Sequence, residues 1–499
     1  MIFQGLGRVD GYQQQKDSSE SLSKWSCLLY VLWSVPVVHF SLNPTLSPAA
    51  WPTWTAVAGT LCLSLVDARL VALGIPFVGL FSPLAKSTLI LGLLPSEIFV
   101  SLCSAFVLMA NMRKGFWARS PERGILASLL AIIVVSYVFS SEQESLLKSL
   151  FNWGAICAVY LVTGFYASSR RFVEEYLRAI VVLSGMASLV ILSAYDARLE
   201  LAHFFGQQEA GVNFVDLRYF YRASFWYTNV LFVLGSGFLA AMCQVFYAKS
   251  FVGFASNVIA MALVLQSVLI SYTKTAMAGI LVSAVTLSIV HIRKLRTARA
   301  SSLLLVVGGI ACALLYALPM VAEQADNLNA RFDSFEARLD IYELTLSVLL
   351  DDPFRLLVGY GPDASTLLAS QTTDFVRTGP NGEGAIDSAY MTYLFEHGIF
   401  FLILLVVLLI RIMRSSFRQL GERAGDSYVR TALLAIQIFL AVAALAQVVG
   451  TSKVAWVVVG LLSLRRIGQS QPRSNIEPGV EHEGIVRSVA VAGELSVRS

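Results

Sequence analysis

Charge is what this chain has least of. Only 14% of its 499 residues are Asp, Glu, Lys or Arg, against about 25% in a typical soluble domain. The net charge is +4, too small a bias to suggest a nucleic-acid partner. Histidine is scarcer: there are five, and no two form a His-x-x-x-His pair. No candidate outer segment carries a cysteine cluster or an Asp-x-Asp pair. Asp351 and Asp352 are adjacent, so their side chains diverge on a helix. No metal site is expected. The cysteines Cys27, Cys62, Cys103, Cys157, Cys243 and Cys312 all lie in apolar runs. They read as small buried apolar residues, not as a disulfide framework. No phosphate-cradling glycine loop is present, so neither ATP nor any other cofactor is expected. The first 24 residues are polar, with no cleavable signal before Trp25. Residues 465–499 are rich in Ser, Gly, Glu and Arg without apolar periodicity, and are expected to be disordered.

What the chain has is apolar length. Apolar residues make up 56% of it, and they come in continuous runs that do not alternate. About 20 such residues cross the hydrocarbon layer as a helix. A barrel strand would alternate instead. The expected fold is therefore all-α, a polytopic transmembrane protein with about 12–14 spanning helices between residues 25 and 464. Fourteen segments are read: Trp25–Leu42, Trp54–Val71, Phe77–Leu94, Ser96–Met112, Ile125–Ser140, Leu150–Ala167, Leu177–Ala194, Ser224–Tyr247, Val252–Ile270, Ala276–His291, Leu303–Met320, Ser388–Ile410, Thr431–Val448 and Val454–Leu464. Basic clusters then set the orientation. They are Arg113 to Arg123, Arg170 to Arg178, Arg293 to Arg299 and Arg411 to Arg423. All four face one side if both termini are cytoplasmic.

Two longer loops, at about 195–223 and about 321–387, then face outward. Both carry arginines: Arg198, Arg218 and Arg222 in the first, Arg331, Arg338, Arg355 and Arg377 in the second. Each alone reads equally well as a side chain snorkelling to headgroups. As a set they suggest an anionic ligand. Within the second loop, Phe335, Leu339, Tyr342, Leu346 and Leu349 recur at helical spacing, which predicts an amphipathic helix on the membrane surface. Asp352-Pro353 ends it, and Gly359-Tyr360-Gly361-Pro362 is a turn. The stretch from Thr378 to Gly384 reads as a flexible connection, and the chain re-enters the membrane at Asp387-Ser388-Ala389-Tyr390.

The order Arg338, Pro353, Gly359 and Gly361, Asp387 to Tyr390, then Glu396-His397-Gly398-Ile399 resembles the signature of the O-antigen ligase and polymerase superfamily, the bacterial Wzy and WaaL type proteins. Weaker matches are Arg222 through Asn229 and Ser271 through Thr275. The sequence departs at Asp387, where the family's re-entry motif has His, and at Lys274, where it has Arg. The altered His tilts the resemblance from ligase toward polymerase.

The resemblance implies a glycosyltransferase-C-like fold in the bacterial inner membrane. It also implies glycosyl transfer on the outer face, from undecaprenyl diphosphate to a sugar hydroxyl of another lipid-linked repeat unit. Expected partners are that lipid-linked oligosaccharide, membrane lipid, a chain-length regulator and a flippase. Arg338, Arg222, Arg218 and Lys274 are candidates to hold the diphosphate, because fixed cations stabilise the charge developing on the leaving group. Asp387 is the candidate general base, although Asp also suits the N-cap of the helix that follows. Tyr390, Glu396 and His397 are candidate substrate contacts. For His397 the packed-core reading is the stronger one, and for Tyr390 an interfacial position needs no ligand. Glu396, a charge inside a span, should face a polar cavity or a partner. The alternatives are a ligase of the same superfamily, a lipid-linked oligosaccharide flippase, or an inactive scaffold. The absence of internal repeats and of charges distributed along the spans argues against transport.

Overall fold

In a computed structural model the described residues are 122–139, 146–166, 170–196, 227–248, 250–270, 274–292, 329–361, 364, 388–419 and 427–445. Every regular element among them is a helix, ten in all: α1 Arg123–Val138, α2 Leu146–Tyr166, α3 Arg170–Asp196, α4 Tyr227–Tyr247, α5 Phe251–Ile270, α6 Lys274–Ile292, α7 Asn329–Asp351, α8 Pro353–Val358, α9 Ala389–Gln419 and α10 Ser427–Ala443. Eight of the fourteen expected segments coincide with α1 to α6, α9 and α10. The expected segments Trp25–Leu42, Trp54–Val71, Phe77–Leu94, Ser96–Met112, Leu303–Met320 and Val454–Leu464 lie outside the described residues, as do both tails. Among the described residues two helices are long and apolar enough to cross a membrane, Phe251–Val268 and Ala389–Arg414; five more are apolar but shorter.

The two boundaries that differ most from the sequence reading are in α3 and α9. Helix α3 begins at Arg170, not Leu177, and α9 runs to Gln419, past Ile410. Arg170, Arg171, Arg178, Arg411, Arg414 and Arg418 therefore ride on helices instead of lying in loops. The reason is physical: apolar periodicity marks where burial ends, whereas Arg and Glu continue a helix readily.

Helices α3, α4, α5, α6 and α10 pack into one group. At its centre α4 is buried all round from Phe232 to Cys243, the pattern of a helix enclosed by others. Close approach is bought with glycine: the Phe439 ring of α10, fully buried, sits where a Cβ on Gly235 of α4 or Gly279 of α6 would be. Buried hydroxyls bond back to their own helix, as Ser184 does to the Val181 carbonyl (2.8 Å) and Ser283 to that of Gly279 (2.7 Å). We expect Gly235→Ala to destabilise the protein by about 1–3 kcal/mol through overpacking, with Phe439→Leu recovering part of the loss in the double variant. Thermal unfolding in detergent measures both.

A second group joins α1, α2 and α9 with α7 and the short α8. Helix α7 forms where the sequence predicts one, but its apolar stripe is only partly the packed one. Leu349 is buried, while Leu339 and Leu346 are 48% and 41% exposed. Packing runs instead through Ile341, Tyr342, Val348 and Leu349 against Met391, Leu394 and Phe395 of α9. Between α7 and α8, Asp352 caps the second helix, its carboxylate accepting from the Phe354 N–H (3.1 Å) and the Arg355 N–H (3.2 Å). Pro353 stands at the first helical position, where its missing N–H costs nothing.

Candidate functional site

Helix α9 is broken. Gly398 has φ 78° and ψ 177°, a backbone region that only glycine enters without strain. A break leaves carbonyls of the preceding turn without their helical donors, and in apolar surroundings those must be bonded elsewhere. Here the donors come from the Gly-Tyr-Gly turn. The Tyr360 N–H bonds the Phe395 carbonyl and the Gly361 N–H bonds the Glu396 carbonyl, both at 2.9 Å. Contact is backbone on backbone and reciprocal. A Cβ on Gly359 (φ 84°) would strike the Glu396 carbonyl, and a Cβ on Gly398 would strike that of Leu357. Tyr360 stacks on Phe395 with ring centroids 4.8 Å apart. Its hydroxyl points to the Val348 carbonyl at 3.4 Å. Burial first, then the Asp352 carboxylate, push that phenol above its ordinary pKa, against the lowering effect of Arg355, so it stays a donor through neutral pH.

The N-terminus of α9 is fixed as well. The Ala389 N–H bonds the Ala444 carbonyl past the end of α10 (3.2 Å). Tyr390 Oη donates to the Ala441 carbonyl at 3.4 Å, so this hydroxyl ties two helices. Ser388 occupies the capping position ahead of α9, with its Oγ 3.5 Å from the Met391 N–H.

His397 is 1% exposed. Trp153, Tyr393 and Phe401 surround its ring, with centroids 6.2, 6.3 and 4.7 Å away. Its Nδ1 lies 3.2 Å from Ser136 Oγ on α1. The serine donates its own proton to the Ile133 carbonyl (3.0 Å), so Nδ1 carries the hydrogen and the serine oxygen accepts it. Glu396 is 13% exposed in its side chain, with Oε2 4.0 Å from His397 Nε2. We expect Ser136→Ala to cost about 1–3 kcal/mol by leaving a buried N–H unbonded. Ser136→Ala with His397→Phe should recover most of it, since both polar partners are then gone. Unfolding midpoints of the two variants check this.

Tyr390, Glu396 and His397 all lie on the first turns of α9, with the Tyr390 hydroxyl turned to α10 and the His397 ring to α1 and α2. Arg338 lies on α7, one turn ahead of Ile341 in the cluster packed on α9, and Lys274 is the first residue of α6. Arg218, Arg222 and Asp387 lie outside the described residues. Sequence reasoning missed Ser136, and it read Arg355 as one of the loop arginines of an anionic site without foreseeing its backbone partners. The Arg355 guanidinium donates through Nη1 to the Phe139 carbonyl and, at 3.4 Å, to the Gly359 carbonyl. No group of His, Cys, Asp and Glu able to hold a metal occurs among the described residues.

Residues 259–406 match the Wzy_C family model, described as O-antigen ligase. The matched segment contains Lys274, Arg338, the glycine turn, Asp387 and the broken helix, while Arg218 and Arg222 precede it. Comparison with curated proteins finds no match.

Proposed function

We propose that this protein, whose residues 259–406 are similar to the O-antigen ligase family model, belongs to the O-antigen ligase/polymerase superfamily and is a polysaccharide polymerase of the inner membrane. In this reading it is a multi-pass protein with cytoplasmic termini and outward-facing loops at about 195–223 and 321–387. It joins lipid-linked repeat units. A sugar hydroxyl of one unit attacks the anomeric carbon of another. The C–O bond to undecaprenyl diphosphate breaks, and the diphosphate leaves with the bonding electrons.

The residues suit that step. Arg338 and Arg222, with Arg218 and Lys274, hold the diphosphate; the planar guanidinium binds two phosphate oxygens at once, which the Lys274 ammonium does not. Asp387 takes the hydroxyl proton as general base. Glu396 lines the polar side of the broken helix. No metal is used. The observation that carries this reading is the matched segment itself, residues 259–406, which spans Arg338, the glycine turn, Asp387 and the break in α9 along the sequence. Ser388 supports the role of Asp387, because the helix cap that Asp387 would otherwise supply is already filled. A chain-length regulator and a flippase are the proposed partners.

A second reading is a ligase, favoured by the description of the matched family and disfavoured by Asp387 in place of His. Deletion of the gene separates these. Lipid-linked single repeat units in place of long polymer support the polymerase. Polymer of normal length left unattached sinks it in favour of the ligase. Repeat units retained on the cytoplasmic face point to a flippase.

A further inference from the structure

The Arg355 guanidinium is engaged by backbone carbonyls and an aromatic ring. It sits at the junction of three elements. Nη1 reaches the Phe139 carbonyl, just past the C-terminus of α1, and the Gly359 carbonyl at 3.4 Å. The guanidinium lies over the Tyr360 ring, 5.1 Å from its centroid, and Nε is 4.0 Å from Asp352. Tyr360 in turn stacks on Phe395. A planar cation can serve carbonyls at its rim and an aromatic face at once, so each contact orders the others.

The contacts share one outcome: they hold the Gly-Tyr-Gly turn down on the break in α9. That turn follows α8, which Asp352 joins to α7, the helix that carries Arg338, and it bonds the carbonyls of Phe395 and Glu396. The spacing between the cation on α7 and the polar start of α9 therefore depends on how firmly the turn is seated. We infer that Arg355 is a positioning residue of the transfer site: it fastens the 359–361 turn to the broken helix, and so fixes α7, the helix that carries Arg338, relative to the start of α9, which carries Glu396. This rests on the glycosyl-transfer reading above.

The test pairs two measurements on the full-length protein in detergent or nanodiscs. One is amide hydrogen exchange at Tyr360 and Gly361. The other is steady-state transfer with polyprenyl-diphosphate-linked repeat units isolated from the deletion strain. In Arg355→Ala those two amides should exchange about tenfold faster or more. The turnover number should fall about tenfold or more, because small misplacements of reacting groups are costly. KM for the donor should stay within about twofold, which separates positioning from binding. Arg355→Lys should be intermediate in both measurements, because an ammonium can bond a carbonyl but cannot lie flat on the Tyr360 ring. If the alanine variant does not accumulate, the lysine variant carries the same comparison.

Unchanged exchange overturns the fastening. Faster exchange with unchanged turnover overturns the positioning. A raised KM with unchanged turnover makes Arg355 a binding residue and also overturns it. A wild-type protein that transfers no glycan sinks the reaction proposed above, and the positional role with it; the exchange data then report on the fastening alone.

Discussion

Gly398→Ala is expected to abolish polymer formation and to lower stability by about 3 kcal/mol or more, the upper end for a side chain forced into a glycine-only backbone region. Two costs add. At φ 78° and ψ 177° a Cβ is strained wherever it points, and here it also points at the Leu357 carbonyl. Backbone cannot swing aside as a side-chain tip can, so the turn must lift off α9. Lifting it leaves the Phe395 and Glu396 carbonyls without their donors. Gly359→Ala meets the same obstacle from the opposite side, so the two variants should not be additive. Gly154→Ala is the control. No atom lies near its Cβ position in α2, and replacing a mid-helix glycine should gain about 0.5–1 kcal/mol. Unfolding midpoints and polymer yield together decide. A Gly398→Ala protein with normal stability and full-length polymer would remove the interlock from the account.

Arg338→Ala carries the second large effect. Removing one preorganised charge from a developing diphosphate is expected to slow transfer by about 10²–10³, with the protein present at its usual level. Arg222→Ala should act in the same direction. Asp387→Asn should lose activity comparably if the carboxylate is the base, and little if it is not. The informative comparison is Asp387→His, which restores the family's residue. Normal polymer from both arginine variants would show that the diphosphate is held elsewhere.

Much of the architecture was legible because apolar length is a strong signal. The segments at α4, α5 and α6 match the helices within a few residues. Helix ends were less legible where polar residues prolong a helix beyond its apolar run, as at Arg170 and Gln419. The α7 stripe was read from spacing alone. Spacing shows that Leu339 and Leu346 share a stripe with Tyr342 and Leu349, but not that only the latter two pack, together with Ile341 and Val348 beside them. At the site, Glu396-His397-Gly398 was visible as a motif, but not as a break. Nothing local says that Gly398 leaves the helix, because the cause is a turn far back in the chain. The bond from Ser136 to His397 spans 261 positions, beyond any local pattern. Arg355 looked like the other loop arginines, since its carbonyl partners leave no trace in side-chain types.

The broken helix also constrains the order of assembly. The ribosome delivers residues 359–361 before any of α9 exists, yet the carbonyls they cap belong to Phe395 and Glu396. Until both pieces are in place, the cheapest state for α9 is an unbroken rod that bonds its own carbonyls. The bend is therefore acquired late, when the waiting turn docks and exchanges places with the rod's internal bonds. Newly made protein should pass through a straight-helix stage in which the 359–361 turn is not yet docked on α9.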